Sequence, residues 1–187
     1  MRGFEVRLAT DADSPRVVEL VDSAYQQYPN CILDVDLEEP ELRAVSSSFR
    51  RKGGEFWVAV PTAVASGRSL SSAVRSARSW PVLGSIAVRP VSGSADVWEL
   101  KKMYVAREAR RMGVASELLR VTEQWLIRRG MVELQLWTDS RFIEAHGFYQ
   151  ARGFQRRPGE RQLQDLSDTT EYPFFKRRES LPMSKSP

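Results

Sequence analysis

"REARRMGVASELL", residues 107–119, decides how this chain is read. Apolar residues return at helical spacing from Val114 through Leu118, Val121 and Trp125, with Leu119 and Leu126 beside them. A helix therefore starts inside the quoted stretch and runs to about Arg129, where Gly130 ends it. Arg107, Arg110 and Arg111 stand just ahead of it, and Gly113 lies where it begins. That end of a helix is already positive, because its first N–H groups lack intrahelical acceptors and the peptide dipoles add up. More positive charge there is unfavourable unless an anion shares the place. A phosphate would accept the N–H groups around Met112 to Ser116 and neutralise Arg110 and Arg111. Gly113 has no Cβ to collide with it, and Ala115 has the next smallest side chain.

The neighbours of this helix read as strands. "WELKKMYV" precedes it and "VELQLWT" follows, which makes a β-α-β unit with a right-handed crossover and parallel strands. The quoted turn then lies at the carboxyl end of the first strand, a common place for ligands. Further out, "FEVRLAT" alternates as a strand, and "DADSPRVVELVDSAYQQY" is a helix that Asp13 or Ser14 can cap. "PNCILDVDLEEP" is a loop, "EEPELRAVSSSFRRKGG" a second helix, "EFWVAV" a strand, and "WPVLGSIAVRPV" with "ADVWELKKMYVA" a hairpin. "DSRFIEAHGFYQARGF" is a helix capped by Asp139 or Ser140 and stopped by Gly153, and "EYPFFKRR" is a last strand. Residues 61–79 are small and polar and read as a long mobile loop. The expectation is one domain over residues 1–177, with 178–187 a disordered tail.

Composition removes several chemistries. Among 187 residues there is one cysteine, Cys31, and one histidine, His146, so neither a disulfide within the chain nor a Cys/His zinc site can be built. No EF-hand spacing appears and no metal is expected, although a carboxylate-only Mg2+ or Ca2+ site stays open. The common nucleotide-binding glycine loops and the nucleophile elbow are missing. No apolar run is long enough for a bilayer and no signal-peptide core is visible, so a cytoplasmic protein without membrane contact is expected. A net charge of +4 mildly favours an anionic ligand.

Three segments together carry a family resemblance. Arg110-Arg111-Met112-Gly113-Val114-Ala115 matches a signature of glutamine or arginine, two residues, glycine, one residue, then glycine or alanine. "WELKKMYV" looks like a cofactor-binding strand, and "AHGFYQARGF", residues 145–154, matches a helix signature around Phe148-Tyr149 and Gly153-Phe154. In this order the segments resemble the GNAT superfamily of N-acetyltransferases over roughly residues 4–177. The resemblance implies a GNAT-like α/β fold: a mixed, mostly antiparallel central sheet flanked by helices, with a parallel β-α-β core for the cofactor.

It also implies acetyl-CoA as the acetyl donor and a primary amine as the acceptor, in a monomer or a homodimer. The pyrophosphate would rest on Arg110, Arg111, Met112, Gly113, Val114, Ala115 and Ser116, and the pantetheine arm along Met103, Tyr104 and Val105. A bulge in that strand would aim an N–H at the thioester carbonyl, where charge develops. Tyr149 matches the family's general acid, and Glu99 resembles the glutamate that deprotonates the amine through water. Glu38 and Glu39 are candidates for recognising the amine. Two departures stand out: Arg111 occupies a position often held by glycine, and Phe142 replaces an asparagine that contacts the cofactor, so that contact is not expected here. Cys31 is not needed as a nucleophile, since direct attack in a ternary complex requires none. His146 is expected to be an exposed helix residue. The competing expectation is a non-catalytic module on the same fold that senses acyl-CoA or binds nucleic acid; retained Tyr149 and Glu99 argue against it, and nucleic acid is disfavoured as a partner.

Overall fold

A computed structural model describes residues 3–62 and 81–180. In chain order it contains β1 (Phe4–Leu8), α1 (Ser14–Tyr25), α2 (Val45–Arg51), β2 (Glu55–Pro61), β3 (Gly84–Pro90), β4 (Val97–Val105), α3 (Val114–Ile127), β5 (Glu133–Asp139), α4 (Ile143–Ala151), β6 (Gln155–Arg156), β7 (Arg161–Gln162) and β8 (Thr170–Arg177). The strands form one eight-stranded sheet in the order β1-β2-β3-β4-β5-β8-β6, with β7 also on β8. β4 and β5 pair in parallel; the other described pairs are antiparallel. The parallel pair is the one joined by α3, as a crossover helix requires. This is the expected mixed sheet, and the short β6 and β7 are additions that no periodic pattern announced.

Both faces of the sheet are covered, which is why Phe56 to Val60 of "EFWVAV" are apolar without a break. Phe56, Val58 and Val60 of β2 pack with Val17, Leu20 and Phe49 from α1 and α2. Trp57 and Ala59 face the other way, with Leu118, Leu119 and Leu126 of α3. Trp125 packs edge-on against Trp57 and Trp98, with centroids 5.4 and 5.5 Å apart. The helix lies close to the strands at Gly84. A Cβ there would stand 2.9 Å from Val114 Cγ1 and 3.0 Å from Leu118 Cδ1. Glycine is therefore what lets the first turn of α3 rest on β3.

The helix starts are fixed by polar contacts more distant than the sequence indicates. The Asp13 carboxylate accepts the Thr10 N–H at 2.8 Å and the Arg7 guanidinium at 2.7 and 2.9 Å, closing the turn before α1. Asp11 Oδ1 accepts the N–H groups of Ser46 and Ser47, and Ser14 Oγ that of Val45, so the entry to α1 also caps α2. The start expected for α4 is corrected. Its N-cap is Phe142, and Asp139 instead ends β5, where its carboxylate takes the Arg141 N–H at 2.8 Å. Strand pairing with β8 extends through Asp139 and carries that residue into the sheet.

The expected tail is corrected for its first three residues, because Arg178–Ser180 form a 3-10 turn tied to Val132 by a 2.8 Å bond. Of the loop expected over 61–79, Pro61 ends β2 and residues 63–79 lie outside the described residues. No helix among the described residues is long and apolar enough to cross a membrane.

Candidate active site

β4 and β5 begin side by side and then part. Their register runs from Val97–Glu133 to Leu100–Leu136 and stops there, although β4 continues to Val105 and β5 to Asp139. The β5-side edge of β4 beyond Leu100 thus has no strand partner among the described residues. At the same place the pairing of β4 with β3 slips: Ala87 faces Lys101, but Ser85 faces Tyr104. The extra residue is a β-bulge at Lys102, whose φ is +53°. One extra residue inverts the alternation beyond it. Trp98 and Leu100 face the α3 side, and after the bulge Met103 and Val105 do so, while Tyr104 turns toward α1. The buried Ser85 hydroxyl donates to the Lys102 carbonyl at 2.7 Å, satisfying one group the bulge displaces.

The chain leaves β4 through a 3-10 turn, Arg107–Ala109, and reaches α3 with Gly113 as N-cap at φ +86° and no side-chain cap. Arg111 also takes a positive φ, +63°. A Cβ built on Gly113 meets nothing within 4 Å, so the space before the helix is open. Arg110, Arg111, Met112 and Gly113 are exposed, and Val114 is buried against Gly84. Arg152, at the end of α4, donates to Ser116 Oγ at 2.5 Å and brings a further cation to this turn. Uncapped N–H groups, open space and clustered cations fit a pyrophosphate.

Tyr149 and Glu99 come together in one cleft of about 240 Å3, which Met103 and Tyr104 also line. Tyr149 is only 5 % exposed, with its ring against Phe148, Phe154 and Phe174. It is at once a core residue and a cleft residue. Its hydroxyl makes no hydrogen bond among the described residues, and burial raises its pKa well above the ordinary phenol value. Glu99 is buried and its carboxylate is shared: Arg89 lies at 2.7 Å and Lys101 at 3.7 Å.

Sequence reasoning missed Lys102. Its side chain turns at the bulge into the cleft and meets Glu39 and, at 3.3 Å, Glu41. Burial pulls its pKa down to about 7, while Glu171 works to hold the proton on. The ion pair with Glu39 and Glu41 acts in the same sense as Glu171. "ELKKMYV" carries no sign of this, because the bulge arises from pairing with β3. Arg141 and Glu171 were missed for the same kind of reason: distant segments bring them to the cleft. Phe142 joins an aromatic wall, with ring centroids 4.6 Å from Tyr28 and 6.2 Å from Tyr25. Cys31 lines the cleft too, and burial pushes its thiol pKa up, away from a reactive thiolate. His146 is corrected from exposed to half-buried: Nε2 lies 2.9 Å from the Asp139 carbonyl and the ring rests between Tyr172 and Phe174.

The fold agrees with comparisons to known proteins. A family model described as the acetyltransferase (GNAT) family matches residues 18–154. No curated protein matches the chain. Among solved structures, a GNAT-family acetyltransferase from Staphylococcus aureus Mu50 is similar with a TM-score of 0.72 and 18% identity, covering 93% of this chain and 98% of that one. The yncA protein of Salmonella typhimurium, solved with its cofactor acetyl-CoA, has a TM-score of 0.65, 14% identity and coverage of 94% of each chain. The PaiA N-acetyltransferase of Thermoplasma acidophilum, in complex with coenzyme A, has a TM-score of 0.61 and 17% identity, covering 93% of this chain and 98% of that one. At these identities the likeness to solved structures is one of fold.

Proposed function

Since the chain belongs to the acetyltransferase (GNAT) family and so transfers acetyl groups, we propose that it is an N-acetyltransferase acting on a primary amine by direct attack in a ternary complex. The carrying observation is the parting of β4 from β5 beside a bulge, with the unpartnered Tyr149 hydroxyl in the same cleft. Acetyl-CoA would supply the acetyl group already activated as a thioester. The chain's own residues do the rest. Residues 110–116 hold the pyrophosphate through helix N–H groups and arginine charge. Met103, Tyr104 and Val105 offer a strand edge that lacks a partner, to which an extended amide-bearing arm can bond. The bulge turns backbone N–H groups out of the regular ladder, where one can stabilise a developing oxyanion.

Tyr149 is the proton donor to the departing sulfur. Its burial keeps the phenol protonated, the form a general acid needs. Glu99 is the base for the acceptor ammonium. Its carboxylate is shared with Arg89 and Lys101, and the family resemblance has such a glutamate take the proton through water. No acyl-enzyme on Cys31 is required. The test is thiol release from acetyl-CoA with a panel of amines, with product masses measured. An acetylated amine product is expected. Tight acetyl-CoA binding with no product from any amine would instead mark a non-catalytic acyl-CoA sensor, and steeply salt-dependent nucleic-acid binding would mark the other module.

A further inference from the structure

We infer that the acceptor is a small, slender amine that carries a second positive charge and enters the cleft end-on. This rests on reading the cleft as the site of acetyl transfer. Two segments distant in sequence, residues 26–39 after α1 and 163–169 before β8, line the cleft and are bonded to each other. Ser167 Oγ accepts the Ile32 N–H at 2.8 Å and donates to the Ile32 carbonyl at 3.2 Å. Glu38 accepts the Leu166 N–H at 2.6 Å. Arg141 adds bonds to the carbonyls of Asn30 and Ser167, 3.2 and 3.3 Å long, and to the Thr169 hydroxyl at 3.1 Å. A lysine on a folded protein surface brings backbone on both sides of itself, and that backbone would collide with such a bridge. A small molecule or a chain end can pass beside it, and the volume of about 240 Å3 suits a small molecule.

Charge narrows the class. The cleft is lined by six carboxylates (Glu38, Glu39, Glu99, Asp139, Asp165, Glu171) and four cations (Lys101, Lys102, Arg141, Arg161). Each cation rests against a carboxylate: Lys101 on Glu99 at 3.7 Å, Lys102 on Glu39, and Arg141 on Asp139 and Arg161 on Glu171 at 2.6 Å each. The carboxylates left without an ion pair are Glu38 and Asp165, one from each bonded segment, with Asp165 within electrostatic reach of Arg141 but not in contact with it. Among the described residues each accepts only a backbone amide, from Leu166 and Thr169 respectively. The independent pointer to a ligand is the Tyr149 hydroxyl, on a side chain 5 % exposed, which lines the same cleft without a partner. The reacting nitrogen must be neutral to attack, so it cannot also answer the surplus carboxylates. A second ammonium on the acceptor can, whereas an acceptor carboxylate would add to the repulsion.

The test uses the full chain with acetyl-CoA and four acceptors: 1,4-diaminobutane, n-butylamine, γ-aminobutyrate and a folded lysine-rich protein. Thiol release should give the diamine a kcat/KM about tenfold or more above n-butylamine, with γ-aminobutyrate lower still and the protein unmodified by mass spectrometry. Glu38→Gln and Asp165→Asn should each raise KM several-fold more for the diamine than for n-butylamine, narrowing the preference, and leave the acetyl-CoA-induced rise in melting temperature in place. Equal use of n-butylamine or γ-aminobutyrate, acetylation of the folded protein, or a diamine preference that survives both substitutions overturns the inference. So does silence with the diamine when acetyl-CoA still raises the melting temperature. Loss of that rise in the unaltered chain strikes instead at the acetyl-transfer reading itself.

Discussion

Arg111 shows how much one residue can report. Its φ of +63° costs a residue with a Cβ about 1 kcal/mol, a cost that glycine avoids. The strain stands at the proposed phosphate turn, where a cation has a use. Arg111→Gly is expected to stabilise the ligand-free protein by about 1 kcal/mol in denaturant unfolding, while acetyl-CoA affinity, measured by calorimetric titration, falls several-fold; a loss of stability would contradict the strain. Tyr149 tests the chemistry. Tyr149→Phe keeps the ring packing and removes only the hydroxyl, so kcat should fall roughly 100-fold with the acetyl-CoA Kd nearly unchanged; intact turnover would remove the general-acid role. Tyr149 was legible in sequence because its neighbours form a short local signature. Lys102 was not, because its φ, its burial and its carboxylate partners are all set by β3 and by residues 39–41.

At the scale of elements, the entry to α1 has a pH signature. Burial pushes the Asp13 carboxyl up, but the bonds from Arg7 and Thr10 outweigh it, and the pKa lies below the usual carboxylate value. A carboxyl depressed by folding contributes stability above its unfolded pKa of ~3.9, and the contribution is lost as pH falls through the folded value. Asp13→Ala should therefore cost about 1–2 kcal/mol at pH 7, and thermal unfolding of the two proteins should draw together only as pH falls from ~4 through the depressed folded pKa. A cost that stays constant into acid would rule out the carboxylate as its source. The contact of α3 with β3 is equally specific. A methyl at Gly84 would press on Val114 and Leu118 and lie 3.1 Å from the Tyr104 carbonyl. Gly84→Ala is expected to destabilise by about 1–3 kcal/mol. It should also weaken acetyl-CoA binding, because the displaced residues are the first turn of α3 and the free edge of β4. Unchanged affinity would separate the phosphate turn from this packing. Helices and strands were placed correctly where the period is local, but neither Asp13 nor Ser14 caps α1 with its side chain, and the expected second helix opens as a 3-10 turn, Pro40–Ala44, before α2. The start of α4 was misread because Asp139 is held in β5 by pairing with β8.

At the scale of the whole molecule, a ligand that binds only the folded chain raises its stability by mass action. Acetyl-CoA at ~100 times its Kd should add about 2.7 kcal/mol, a melting shift of roughly 5–10 °C for a domain of this size; no shift at millimolar concentration would count against the cofactor. The sequence by itself determined the order of elements, the parallel β-α-β unit and the glycine turn before α3, and its family resemblance singled out Tyr149 as a candidate. The first three follow from periodicity, turn chemistry and residues close together in the chain. Only the tertiary structure decided that β4 bulges at Lys102, that Glu99 is shared between two cations, and that residues 26–39 and 163–169 meet and bond to each other at the cleft wall. The physical reason is separation along the chain. Burial and ion pairing depend on which distant segments meet, and the cleft wall is assembled from segments more than a hundred residues apart, such as Ile32 and Ser167.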